Sequence, residues 1–247
     1  MTPAPNPLWP TLLLHGIGGR AALWADSIAA LAPRPVIAMD MPGYDGTRPA
    51  LASFAALADA AVALLDARGI GSADVVGHSL GGMLALELAL RHPARVRRLV
   101  IVASSPAFGS RDPAFREAFL AARQKPLDEG LGMAGVARAL VPGMLGPAAS
   151  AQAAPAAIAA MGSVDEAAYR ITLATLTSFD RRADLPRVAQ PALLIAGEAD
   201  ATAPPRGMSR MAEAMPDARL VVIPGVGHLL PLEAPEAFHA ALLAFLA

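Results

Sequence analysis

Residues 73–82 read ADVVGHSLGG, and this stretch decides the fold. Its first half is nearly continuously apolar, which is typical of a strand that is buried on both faces. The residues after Ser79 follow helical spacing, so we predict a strand that ends at His78 and a helix over 80–91. Glycines two positions before and after the serine match G-x-S-x-G, in which a strained strand-to-helix turn exposes the serine. Larger side chains there would collide with the strand and the helix. The alternative interpretation is a glycine-rich turn with an incidental serine.

Five further apolar runs of strand length flank this segment, with helical stretches between them. Continuous apolar character predicts a mostly parallel sheet whose strands are joined by right-handed crossovers. The stretch 53–68 fits a helix that begins after Ser53 as N-cap and ends before Gly69. We therefore predict an α/β fold with a doubly wound sheet of about six strands. The runs are TLLLH (11–15), PVIAMD (35–40), RLVIVA (98–103), ALLIAG (192–197) and RLVVIP (219–224).

A long interval separates the fourth run in the chain, RLVIVA, from the fifth. It has no convincing strand and carries amphipathic stretches that Pro and Gly divide. We predict a helical cap over 106–188, inserted before the last two strands into a core of residues 1–105 and 189–247. SVDE (163–166) fits a capping box, which predicts that Ser163 caps a last cap helix ending near Phe179. Such a long insertion seldom persists as plain loop, so we expect it to cover a site.

The composition excludes several classes of function. The 247 residues carry a formal net charge of -1, so we expect no nucleic-acid partner. No apolar run approaches the roughly 20 residues that span a bilayer, and the N-terminus lacks a signal-peptide pattern. We therefore predict a cytoplasmic protein without membrane attachment. The absence of cysteine excludes disulfides and thiolate catalysis. The five histidines lack metal-ligand spacing, and we predict neither a metal nor another cofactor.

Ser79 has candidate partners for nucleophilic chemistry. A hydroxyl is a weak nucleophile at neutral pH and needs a general base, which itself needs a partner that holds its tautomer. His228 follows the last strand run, and Asp200 follows the run before it. Open α/β sheets bind ligands beyond the carboxyl ends of their strands, where all three residues are expected. We predict Ser79 as nucleophile, His228 as base and Asp200 as acid. Glu198 is the alternative acid, and we interpret it as a rim residue.

Acyl transfer also requires two backbone N–H groups directed at the developing oxyanion. We predict that Leu80, directly after the nucleophile, supplies one of them. HGIGG (15–19) supplies the other, with Ile17 as donor and glycines that let the backbone approach a substrate. A phosphate loop is the alternative, but neither its Lys-Ser or Lys-Thr nor a G-x-G-x-x-G pattern is present. We interpret His15 as part of this loop. The other histidines, expected to be structural or solvated, are His78 with its side chain turned away, His92 and His239.

With these segments the sequence resembles the α/β-hydrolase family, and it is similar to the branch that contains 3-oxoadipate enol-lactonases and pimeloyl carrier-protein methyl esterases. The resemblance implies an α/β-hydrolase fold with a Ser-His-Asp triad. Family members usually begin with an antiparallel hairpin, and because about ten residues precede Thr11 we expect this hairpin to be missing. We expect the exposed sheet edge to favour a homodimer. The matching segments are His15-Gly16 with Trp24, Asp40 to Thr47, Gly77 to Gly82, Asp184 to Pro186, Gly197 to Asp200 with Pro204, and Gly225 to His228 with Glu233, Pro235 and Glu236.

We expect a carboxylic ester hydrolase that cleaves a small to medium, largely apolar ester or lactone through an acyl-enzyme. The same triad serves carbon-carbon bond hydrolases of ring-cleavage products, cofactor-free perhydrolases and slow ligand receptors, which are the alternatives. Arg111, Arg138 and Arg181 are candidate anchors for a substrate carboxylate, although nearly balanced cap charges favour solvated helix faces. The expected pocket residues are Gly16, His78, Met144 and Leu229. The apolar cap residues, which at helical spacing form cap core more often than pocket lining, are Phe108, Phe115, Phe119, Leu140, Met144 and Met161.

Overall fold

The computed structural model describes residues 8–46, 49–109 and 112–247. Within them six strands form one sheet in the order β2-β1-β3-β4-β5-β6, and all neighbouring strands are parallel. The predicted α/β fold is confirmed, and each strand lies on its predicted run. The predicted absence of an N-terminal hairpin concerns the segment before Thr11, of which residues 1–7 lie outside the described ranges. The strands are β1 (Thr11–Leu14), β2 (Val36–Met39), β3 (Ala73–His78), β4 (Val96–Val102), β5 (Ala192–Gly197) and β6 (Ala218–Ile223).

Helices cover both faces of the sheet, because successive side chains of each buried strand point to opposite sides. On β1, Leu13 joins the core cluster of Trp24 and Phe238, whereas Leu12 and Leu14 join the larger cluster on the other face. Each helix within the described ranges is too short or too polar to cross a bilayer. The helices outside the cap are α1 (Ala25–Ala30), α2 (Phe54–Asp66), α3 (Leu80–Arg91), α8 (Pro205–Glu213), α9 (Leu230–Glu233) and α10 (Pro235–Leu246).

Four helices lie between β4 and β5, where the sequence predicts a helical cap. The last of them begins later than predicted. Asp165 is its N-cap, and the Asp165 side chain accepts a hydrogen bond from the Ala168 N–H at 2.9 Å. Ser163 instead donates to the Ala160 carbonyl at 2.8 Å, at the end of the preceding helix. The capping prediction was wrong because Asp and Ser are equally good N-caps and both occur in SVDE. The cap helices are α4 (Pro113–Asp128), α5 (Gly132–Leu140), α6 (Ala153–Gly162) and α7 (Glu166–Leu176).

The two ends of this helical insertion run side by side and are fastened to the core. Phe108 N–H donates to the Phe179 carbonyl, and Arg181 N–H donates to the Pro106 carbonyl, both at 2.8 Å. The Arg181 guanidinium forms two hydrogen bonds, of 2.6 and 2.9 Å, with the buried carboxylate of Glu87 on α3. Because α3 begins directly after Ser79, the same helix carries the candidate nucleophile and holds the base of the cap.

Candidate active site

The turn between β3 and α3 holds Ser79 in a backbone conformation that L-residues rarely adopt. Its φ is 53° and its ψ is -117°. The Ser79 N–H donates to the Val102 carbonyl at 2.9 Å, and the Ser104 hydroxyl donates to the Ser79 carbonyl at 2.6 Å. A Cβ at Gly77 would collide with the Gly81 carbonyl, and one at Gly81 would collide with β1 backbone. The spacing of small residues therefore has the steric cause that the sequence predicts.

Ser79, His228 and Asp200 form a continuous hydrogen-bonded series at the carboxyl edge of the sheet. The Ser79 hydroxyl lies 3.0 Å from His228 Nε2, and His228 Nδ1 lies 2.8 Å from Asp200 Oδ2. The carboxylate accepts from Nδ1–H, which leaves Nε2 of a neutral ring free to accept the serine proton. Asp200 Oδ1 accepts from the N–H groups of Thr202 and Ala203 at 2.7 and 2.9 Å. Burial alone would raise the pKa of Asp200, but His228 and these N–H groups hold it below its usual value.

The alternative candidates lie elsewhere. Glu198 is exposed, and its Oε2 accepts from the Gly225 N–H at 2.9 Å, as expected of a rim residue. His92 bonds to Asp59 on the surface at 2.8 Å. The His78 side chain is not turned away from the site, contrary to the prediction. Its Nε2 donates to the His228 carbonyl at 2.7 Å, and burial beside His228 lowers the pKa of His78 to about 3. His78 is therefore a neutral neighbour of the series. The remaining histidine, His239, bonds to Ser27 at 3.0 Å.

The loop after β1 is fixed by neutral side chains. His15 Nδ1 donates to the Gly16 carbonyl at 2.8 Å, and its Nε2 accepts from the Met41 N–H at 3.0 Å. Burial lowers the pKa of His15 to about 4, so the ring stays neutral and keeps both bonds. The buried Tyr44 hydroxyl donates to the Ile17 carbonyl at 2.7 Å. Ile17 of this loop lines the same pocket as Ser79, and Leu80 follows Ser79 as the first residue of α3. That their N–H groups bind an oxyanion stays a prediction.

Comparison with known proteins assigns the family. A family model described as alpha/beta hydrolase fold matches residues 10–235. The chain belongs to this family. A Caulobacter protein named "Putative carbamate hydrolase RutD" is 34% identical to it over 245 residues, 95% of this chain and 89% of that protein. The solved enol-lactonase from Burkholderia xenovorans is 25% identical, with a TM-score of 0.85, over 98% of this chain and 92% of its own. A thermophilic esterase from Thermogutta terrifontis is 26% identical, with a TM-score of 0.86, over 96% and 89%.

Two pockets of this α/β hydrolase meet at Ser79 and His228. We name them the Met144 pocket and the Phe108 pocket. No Asp, Glu, Lys or Arg side chain of the described ranges lines either of them. Besides the two shared residues, the Met144 pocket is lined by Ile17, Gly18, Gly19, Leu23, Val141, Met144, Ala157, Met161, Leu229 and Leu232. The Phe108 pocket is lined by Met83, Ala103, Ser104, Ser105, Ala107, Phe108, Gly109, Phe115, Phe119, Leu176, Thr202 and Ala203.

The predicted pocket residues divide between two cavities. Met144 and Leu229 line the Met144 pocket together with Ser79. Gly16 and His78 line a smaller cavity beside Trp24, to which Leu229 also contributes and Ser79 does not. The structure therefore places Gly16 and His78 at a cavity next to the two pockets that Ser79 lines, and not in those pockets.

The apolar cap residues were interpreted as cap core, with pocket lining as the alternative, and the structure shows both: Phe108 and Met161 are buried, and Phe108 packs on Phe119. Five of the six line one of the two pockets at Ser79, and Leu140 alone of the six does not. The two candidate carboxylate anchors that the structure describes, Arg138 and Arg181, do not line these pockets. Arg181 is bound to Glu87, and Arg138 is exposed on α5. Arg111, like Thr47 of the resemblance, lies outside the described residues.

Sequence reasoning missed two residues that hold the site together. Ser104 follows β4 and bonds to the Ser79 carbonyl, and Tyr44 bonds to the Ile17 carbonyl. Tyr44 lies in the segment from Asp40 to Thr47 that carries the family resemblance, and this position could have indicated its role. Ser104 offered no signal beyond its position at the end of a predicted strand.

Proposed function

We propose that this α/β hydrolase is a carboxylic ester hydrolase that cleaves a small to medium, uncharged ester or lactone. The observation that carries the proposal is the hydrogen-bonded series of Ser79, His228 and Asp200 at the junction of two uncharged pockets. A substrate that crosses the junction would bring its carbonyl carbon to the serine, with its acyl and alcohol groups in separate pockets.

In the proposed reaction, Ser79 Oγ attacks the carbonyl carbon while His228 Nε2 takes the hydroxyl proton. Asp200 orients the ring and stabilises its cation, and the N–H groups of Ile17 and Leu80 bind the oxyanion. His228 then gives the proton to the leaving alcohol as the carbon-oxygen bond breaks. In the second half, His228 removes a proton from water, which attacks the acyl-enzyme and releases the acid. Ser79 recovers its proton from His228.

The charge of the pockets supports the substrate class. An anionic substrate would leave its carboxylate in an apolar pocket without a cationic partner, which costs several kcal/mol. Of the candidate anchors for a dicarboxylic lactone, Arg181 is engaged by Glu87 and Arg138 is exposed. Relatives named as an esterase and an enol-lactonase also favour ester chemistry, since both names describe cleavage of a carboxylic ester bond.

The test is the initial rate of hydrolysis of p-nitrophenyl esters of increasing acyl length and of neutral lactones, for wild type and Ser79→Ala. We expect turnover by wild type and a loss of several orders of magnitude in the variant, because only binding and the oxyanion hole remain. A variant that retains more than about a tenth of the rate contradicts the assignment of Ser79. Wild type that turns over a dienoic keto acid or supports peroxide-dependent halide oxidation, but no ester or lactone, contradicts the substrate class. A homodimer through the exposed edge strand β2 stays a prediction, which sedimentation velocity tests.

A further inference from the structure

Glu233 is a buried carboxylate close to the site that the proposed reaction does not use. It ends α9, and only 2% of its surface is exposed. Three backbone N–H groups donate to it. Leu229 N–H reaches Oε1 at 2.7 Å, and the N–H groups of Gly227 and Gly146 reach Oε2 at 2.8 and 2.7 Å. Hydrogen bonds to an ionised acceptor are about twice as strong as neutral ones, so this carboxylate binds its partners firmly.

Two of these donors stand on either side of His228 in the chain. The peptide of His228 itself is also held at both ends. Its N–H donates to the Met144 carbonyl at 2.7 Å, and its carbonyl accepts from His78 Nε2 at 2.7 Å. The backbone of the candidate base is thus fixed by contacts from Glu233, His78 and the helical insertion, and Asp200 holds only the ring.

The third donor belongs to the segment 141–148 of the helical insertion, which we call the docking segment. Val141 and Met144 of this segment line the Met144 pocket. Its backbone lies directly on the His228 loop, since a Cβ at Gly146 would come within 2.5 Å of Gly227 N. Ala148 N–H also donates to the Gly225 carbonyl at 2.9 Å. One wall of the pocket and the base are therefore joined by two direct backbone hydrogen bonds and by the Glu233 carboxylate, which binds both.

We propose that Glu233 is a positioning residue, whose carboxylate holds the docking segment and the His228 loop as one unit and so assembles the base together with the Met144 pocket. The proposal rests on the proposed function for the role of His228. Loss of the carboxylate removes the side chain that binds both the loop and the segment, and it leaves the backbone hydrogen bonds of His228 with Met144 and of Ala148 with Gly225 to hold them. A displacement of the base by about 1 Å is enough to lower turnover about 100-fold.

The test compares Glu233→Gln with Glu198→Gln. An amide offers one acceptor oxygen and a donor NH₂ group, so at least one of the three N–H groups loses its partner. Glu198 is the matched control, because it accepts a single N–H from Gly225 of the same loop and is exposed. We would measure kcat and KM on a p-nitrophenyl ester, with kcat expressed per serine titrated by a fluorophosphonate. For Glu233→Gln we expect a fall in kcat of about 10- to 100-fold and a higher KM. For Glu198→Gln we expect values close to wild type.

A merely structural role gives a different result. If Glu233→Gln lowers the unfolding midpoint but keeps wild-type kcat per titrated serine, the proposal is overturned. If that variant does not fold, Gly146→Ala replaces it, since its methyl group displaces the docking segment while the carboxylate stays. Gly146→Ala should then show the same fall in kcat per titrated serine, and unchanged kcat overturns the proposal.

The rate of Ser79 labelling by the fluorophosphonate separates this proposal from the proposed function, because labelling needs a positioned His228 but no ester substrate. Slower labelling in Glu233→Gln, with wild type inactive on every ester and lactone, supports the positioning role while the proposed function fails. Equal labelling rates in wild type and Glu233→Gln, with active wild type, overturn the positioning role alone.

Discussion

The ion pair between Glu87 and Arg181 predicts an asymmetric response to mutation. The Glu87 side chain is fully buried, whereas the Arg181 side chain is 38% exposed. Arg181→Met leaves the carboxylate buried, and among the described residues its remaining basic neighbour is Arg91, with Nε at 4.0 Å. Glu87→Met leaves a guanidinium that still reaches solvent and Asp184 at 3.7 Å. We therefore expect Arg181→Met to be the more destabilising of the two changes.

The magnitude follows from what each variant leaves unpaired. Removing one partner of a buried pair costs about 3 to 5 kcal/mol, and the exposure of Arg181 with the remaining Arg91 places Arg181→Met near the lower end, at about 3 kcal/mol. Glu87→Met strands no buried charge, so we expect about 1 kcal/mol. The double variant replaces the pair by apolar side chains, which is often close to neutral. Its cost should therefore be well below that of Arg181→Met alone.

Urea unfolding of the wild type, both single variants and the double variant measures these free energies in a double-mutant cycle. A double variant whose cost equals the sum of the single costs would show that the two side chains are not coupled. An Arg181→Met cost below about 0.5 kcal/mol, the range of ordinary surface changes, would refute the reasoning.

Three further predictions concern the site. Asp200→Asn should lower kcat on a p-nitrophenyl ester about 10⁴-fold with an unchanged circular dichroism spectrum, because the amide favours the wrong tautomer of His228; a loss below about tenfold would speak against the assigned acid. Ser104→Ala should lower the free energy of unfolding in urea by about 1 kcal/mol, because the Ser79 carbonyl loses a hydrogen bond. An unchanged free energy of unfolding would show that this hydrogen bond does not stabilise the protein. Burial lowers the pKa of His15 to about 4 in the folded protein, whereas the unfolded chain takes up the imidazole proton near pH 6.5. The free energy of unfolding therefore decreases as the pH is lowered below 6.5. Between pH 6.5 and 4.5 wild type should lose on the order of 2 to 3 kcal/mol more than His15→Asn, and equal losses would contradict this.

The sheet could be predicted from the sequence because each strand is buried on both faces and therefore reads as an uninterrupted apolar run. Parallel strands bring their carboxyl ends to one edge, so residues far apart in the chain could be predicted to meet. The hydrogen bond from Ser79 to His228 joins positions 149 residues apart. No comparable rule links Glu233 to Gly146. Almost every residue has a backbone N–H, so the sequence does not indicate which of them a buried carboxylate will bind.

Apart from Met144 and Leu229, the pocket walls could not be predicted, for a physical reason. Apolar residues at helical spacing look the same whether a neighbouring helix or a substrate covers them. Phe108 is 8% exposed and belongs to the buried residues, yet it lines a pocket at Ser79. The N-cap of α7 could not be predicted either. Both Ser163 and Asp165 of SVDE are good N-cap residues, and Asp165 is the N-cap in the structure because its backbone is extended.

The central claim is that Ser79 is the nucleophile of an ester hydrolase. Labelling the protein with a fluorophosphonate, mapping the adduct by peptide mass and following residual ester hydrolysis tests it most directly. We predict one adduct per chain, on the peptide that contains Ser79, and a loss of hydrolysis in proportion to labelling. An adduct on another residue, or full hydrolysis by completely labelled protein, would contradict the claim.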